Sequence, residues 1–177
     1  MPILTCPVPA TISTLNPNGF MFSIQKYPEL TYFIQEAPLP AISLGTAMQS
    51  SSVHDIKTPG DTMDFADITL NFLVDEKMEN YIAIHNWIIG LGFPYGHASF
   101  TELMSNPRNV NSYSVASKSV SDCSLTILSS DNTPTRTFTF VDAFPTGLSA
   151  ITFQSTNTDV NYVVATLDLA YSYYKIE

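Results

Sequence analysis

The sequence predicts a mainly β protein, an antiparallel sandwich or barrel of seven or eight strands covered by one α-helix. Three observations carry that reading. Apolar and polar residues alternate over several short segments bounded by Pro, Gly, Asn and Ser, as in half-buried strands. A single segment, residues 75–89, repeats its apolar residues at three-four spacing. The 177 residues, 45% hydrophobic and 12% aromatic, suffice for one core and do not call for two domains.

Residues 1–18 hold Pro2, Pro7, Pro9 and Pro17 and no charge, which suits an extended arm rather than a helix or a central strand. Ile3, Leu4, Val8, Ile12 and Leu15 make this arm too apolar to remain in water, so it is expected to dock on its own subunit or a neighbour. Residues 19–177 then form one domain. FMFSI (20–24) and LTYFIQ (30–35) read as a hairpin around Tyr27-Pro28-Glu29. Residues 41–59 turn polar and small, a long loop or a protruding hairpin with an interaction role, and Val53, His54 and Lys57 are its candidate contacts.

Residues 62–74 read as one strand, with Met63, Phe65, Ile68, Leu70, Phe72 and Val74 as apolar positions, running straight into the helix. Asp75 is the expected N-cap, Glu76 and Glu79 suit the positive end of the dipole, and Gly90, Gly92 and Pro94 close the helix. Tyr81, Ile82 and Ile88 are expected to pack on the sheet, and His85 falls on the same apolar stripe. Residues 95–121 are Ser- and Asn-rich and read as loop. SLTIL (124–128) and TRTFTFV (135–141) form a hairpin around 129–132, Phe144-Pro145-Thr146-Gly147 reads as a turn, and 151–154 pairs with 162–171.

The chemistry of the chain excludes more than it suggests. Seven Lys and Arg against sixteen Asp and Glu, a net of −9, oppose tight binding to phosphate backbones. Cys6 and Cys123 read as free thiols. His54, His85 and His97 lack cysteine partners at zinc spacing. Asp61, Asp64 and Asp67 recur every third residue and miss the calcium-loop pattern, and Gly90, Gly92 and Gly96 follow a helix where a dinucleotide fingerprint opens one. No nucleophile elbow or P-loop occurs. No catalytic residue, metal or cofactor is expected. No run of about 18 apolar residues and no leader pattern is found, so the chain is expected to have no membrane anchor and to fold in a cytoplasm. An acidic β domain with an apolar arm and a long polar loop suggests a self-assembling part rather than an enzyme.

The order of these signals resembles the contractile phage tail tube protein family, whose fold the type VI secretion tube protein shares. The resemblance rests on FMFSI (20–24), YFIQEAPLPA (32–41), GDTMDFADITLNFLVDEKMENYIAIHNWI (60–89) and TFTFVDAFPTGLSAITFQSTNTDVNYVVATLDLAY (137–171), in that order. It implies homohexameric rings that stack into the inner tube of a virion tail, assembled in the host cytoplasm, with sheath and baseplate or terminator proteins as partners and DNA passing through unbound. A specialised ring at the baseplate or head-proximal end is the alternative, and a monomeric carbohydrate-binding sandwich a more distant one, since the sole Trp87 lies in the helix. In a ring, Asp64, Asp67 and Asp168, on the long Pro-free segments 62–74 and 162–171, are the candidate channel-wall residues.

Overall fold

The computed structural model describes residues 14–94, 96–106, 118–155 and 162–177. The strands are β1 Phe20–Ile24, β2 Ile34–Glu36, β3 Ile42–Gln49, β4 Ile56–Phe65, β5 Ile68–Leu73, β6 Ser121–Leu128, β7 Pro134–Leu148, β8 Val164–Ala170 and β9 Tyr173–Ile176. The helices are α1 Glu79–Gly92 and α2 His97–Ser105. A seven-stranded antiparallel sheet runs β1-β6-β7-β8-β5-β2, with β9 also on β7, and curls until it nearly closes. β3 and β4 form a separate two-stranded hairpin.

Alternation along the strands fills the barrel. Ile68, Leu70 and Phe72 of β5 and Ala165, Leu167 and Leu169 of β8 point inward beside Phe22, Ile24 and Phe140. Ile84 and Trp87 of α1 complete this core, each fully buried. Leu103 of α2 seats against Gly90, where an added Cβ would come within 2.8 Å of the leucine Cβ. Gly90 is therefore a contact surface inside the helix rather than its closure.

Several expected elements take other forms. Pro28–Tyr32 is a 3₁₀ turn, because Pro28 fixes a helical φ at its start, and β1 pairs with β6 instead of with the segment that follows it. The strand expected over 62–74 breaks at Ala66 and Asp67, where the Ala66 N–H turns to the Ala41 carbonyl at 3.0 Å. The helix starts at Glu79, not after Asp75, because Asn80 holds the approach to it. Asn80 Nδ2 donates to the Leu73 carbonyl at 2.7 Å, while its Oδ1 accepts the N–H groups of Asp75 at 3.2 Å and Tyr81 at 2.8 Å.

The buried face also differs from the expected one: Asn80, Ile84, Trp87 and Gly90 go inward. Tyr81 and Ile88 pack partly buried against the core, whereas Ile82 is 48% exposed and His85 is exposed, so neither of these two is a core residue. The loop expected over 95–121 contains α2. Phe144 to Gly147 is not a turn: β7 runs through it, and the irregularity shows as a bulge between Pro145 and Gly147 opposite β8. Residues 151–154 form no strand; β8 pairs with β5 and β7, and the tail adds β9.

Candidate functional site

Three surfaces remain after the core is accounted for. The first is the β3–β4 hairpin, every residue of β3 being exposed. Residues directly opposite each other share a face, so the pairs Ile42 with Phe65 and Leu44 with Met63 give one side an apolar stripe, while Ser43 with Asp64 and Ala47 with Thr58 make the other side polar. The register shifts between Leu44 and Thr46, where a Cβ on Gly60 would meet the Gly45 carbonyl at 2.7 Å. Glycine is needed there for the two backbones to approach. Val53 and His54 lie exposed in the tip loop, and Lys57 pairs with Met48 just inside it.

The second surface is the outer face of β2, β5, β8 and the end of β7, which is polar and cross-linked. Glu36 accepts from Asn71 Nδ2 at 2.7 Å, and Asn71 Oδ1 accepts from the Thr166 hydroxyl at 3.0 Å. In the next row Thr69 donates to Asp168 Oδ1 at 2.8 Å. β2, β5, β8 and residues 144–148 contain no Lys or Arg, so this face is acidic wherever it is charged. Of the three aspartates expected together, Asp168 stands on this face, Asp67 is exposed in the break before β5, and Asp64 is set apart on the hairpin.

The third surface is the seam between the edges of β1 and β2, which pair with no further strand among the described residues and which Leu15 borders. Ile3, Leu4, Val8 and Ile12, like Cys6, lie outside the described residues.

Beside the hairpin root, Phe65 packs on Tyr171 and Tyr174 with ring centroids 6.1 and 5.6 Å apart, and Tyr171 also packs on Phe140. Burial, then Tyr174 and Asp67, push the Tyr171 hydroxyl up to about 12. The buried Lys26 donates to the Lys118 carbonyl and lies 5.4 Å from the centre of the Trp87 ring, whose Nε1–H donates to the Ser119 carbonyl at 3.0 Å. This pair, invisible in the periodicity, ties α1 to the start of β6. Trp87 is enclosed and offers no face to a sugar. Among the described residues no group of three His, Cys, Asp or Glu could hold a metal, and no helix is long and apolar enough to cross a membrane.

The family model for phage tail tube protein matches residues 3–177. The chain belongs to the phage tail tube protein family. No curated protein matches it in sequence. Among solved structures, the family fold recurs in the anti-feeding prophage cap, described as a tube-terminating cap, at 17% identity and TM-score 0.61 over 100% of this chain and 99% of that one. It recurs in the sheath-tube complex of an extracellular contractile injection system, at 18% identity and TM-score 0.59 over 94% and 93%. The anti-feeding prophage baseplate gives 11% identity and TM-score 0.61 over 94% and 97%. This tail tube family member is a structural protein of the tube-like class.

Proposed function

We propose that six copies of this protein form a ring, that the rings stack into the inner tube of a phage tail, and that DNA leaves through the channel on its way to the host. The observation that carries this reading is the β3–β4 hairpin. An exposed two-stranded ribbon with an apolar stripe is marginal in water by itself and marks a protein contact, and in a homo-oligomer that contact is repeated by symmetry. The open edges of β1 and β2 point the same way, since joining sheets around a ring removes edges that otherwise invite aggregation. Asp64, Val53, His54 and Lys57 then belong to contacts between subunits or rings. Asp67 and Asp168, with Glu36, belong to the channel wall. The protein works without cofactor or catalysis, is assembled in the host cytoplasm into the virion, and meets sheath, baseplate and terminator proteins.

Negative-stain microscopy tests this on purified parent protein and on a Leu44→Asp, Met63→Asp double variant. The parent is expected to form stacked rings. The variant is expected to keep the circular dichroism spectrum of the parent and to form none. Parent protein that stops at single rings fits a specialised ring at one end of the tube, and a double variant that assembles as the parent does overturns the role of the hairpin.

A further inference from the structure

β1 and β2 end the sheet without meeting another strand among the described residues, and the groove between them has a volume of about 490 Å³. Residues 15–20 form one side and residues 35–39 the other, with Leu125 and Ile127 of β6 also lining it. We propose that this groove seats residues 3–12 of the amino-terminal arm of a second copy of this chain, an inference that rests on the self-assembly read above.

The edge chemistry favours an extended chain as occupant. The Gly19 carbonyl accepts from the Leu128 N–H at 2.8 Å and the Gln25 N–H donates to the Asp122 carbonyl at 3.0 Å, so odd-numbered positions of β1 serve β6. Strand alternation then directs the N–H and C=O of Phe20 into the groove, a template for added backbone. The one acidic or basic side chain lining it, Glu36, is already held by Asn71. Residues 1–18 contain no Lys, Arg, His, Asp or Glu, so entry of the arm strips water from no charge of its own. Pro7 and Pro9 each have a fixed φ, which lowers the conformational entropy that segment 3–12 loses on docking.

The occupant comes from another copy because residues 15–19 of the same chain already build one side of the groove. To lie in it, the chain's own arm must reverse within a residue or two of Thr14. Yet no backbone hydrogen bond joins Thr14 or Leu15 to β1 among the described residues, and Leu15 is 64% exposed. With residues 3–12 seated, the stretch from residue 12 to Leu15 spans about 10 Å in extended form, so the receiving groove belongs to a copy in direct contact at this edge.

Cys6 makes the arm its own reporter, since Cys123 is fully buried and does not compete. Three variants, Gln35→Cys, Ala37→Cys and Leu39→Cys, are assembled, inspected by microscopy, and treated with a mild oxidant that accepts the two electrons and two protons released as a disulfide forms. At least one is expected to give a ladder of covalent dimers and higher species on a non-reducing gel, abolished by Cys6→Ser. A disulfide confined to single chains overturns the exchange between copies, and no disulfide at any of the three positions in well-formed particles overturns the groove. Either result leaves the assembly reading intact. Absence of particles from the parent protein removes that reading, and this inference with it.

Discussion

Lys26 shows how one side chain can oppose the fold that surrounds it. It is 6% exposed, and burial lowers its ammonium to about 8. An unfolded lysine titrates near 10.4, so below about pH 8 both states are protonated and the folded protein carries the full cost of the buried charge, on the order of 3 kcal/mol. Between about pH 8 and 10 the unfolded state holds the extra proton, and this contribution makes stability rise with pH. The Cys123 thiol is pushed up by its own burial and then by Asp122, and it acts in the opposite sense above about pH 8.5, where the unfolded thiol ionises first. The comparison that isolates Lys26 is thus between the parent and Lys26→Met. In denaturant melts the parent is expected to gain stability relative to the variant from pH 8 to 10. A difference that stays constant over that range would mean that Lys26 does not titrate where its burial places it. No periodicity reveals this residue, because its partner Trp87 meets it only through the fold.

At the scale of elements, the contact between α1 and α2 turns on Gly90. Replacing a mid-helix glycine by alanine ordinarily stabilises a helix by about 1 kcal/mol, but here the new methyl meets Leu103 Cβ at 2.8 Å, Cδ2 at 3.0 Å and Cγ at 3.2 Å. The nearest of these atoms is fixed to the α2 backbone, so the helices must separate, at about 1–3 kcal/mol. Gly90→Ala is expected to lower the melting temperature by several degrees, and an unchanged or raised value would sink this account of the helix pair.

The sequence could not show this contact because α2 buries one residue fully, Leu103, and so leaves little periodic trace. The strands were more legible. β1, β6 and the first half of β7 follow their alternation, with Phe138 and Phe140 inward. The second half of β7 was hidden by Pro145 and Gly147, which spell a turn locally but occupy a bulge that tertiary pairing with β8 enforces. The hairpin at 42–65 was legible only as an alternative to a loop, since its apolar side has no core beneath it to sharpen the pattern. The helix phase failed at Ile82 because the buried stripe runs through Asn80, Ile84, Trp87 and Gly90, and the polar Asn80 and the small Gly90 in it carry no apolar signal.

For the whole molecule, the sheet divides inside from outside: one face supplies the core and the other, over β2, β5, β8 and residues 144–148, carries hydroxyls, amides and acids without a base. If that outer face lines a channel, Asp67→Lys with Asp168→Lys is expected to give tubes that retain DNA at low salt. Retention should fall steeply as salt rises, because each neutralised phosphate releases counterions. Doubly substituted tubes that shed DNA as readily as the parent at low salt would remove these residues from the channel wall. The break between hairpin and sheet has a mechanical consequence as well. β4 passes into β5 through Ala66 and Asp67 alone, and β5 is clamped between β8 and β2. A pull on the hairpin is therefore carried along the axis of β5, and since antiparallel bonds lie across the strands, the bonds that clamp it bear that tension together in shear instead of peeling open one after another. Whatever grips the hairpin hauls on β5 inside the sheet and, through residues 37–41, on β2 at its rim.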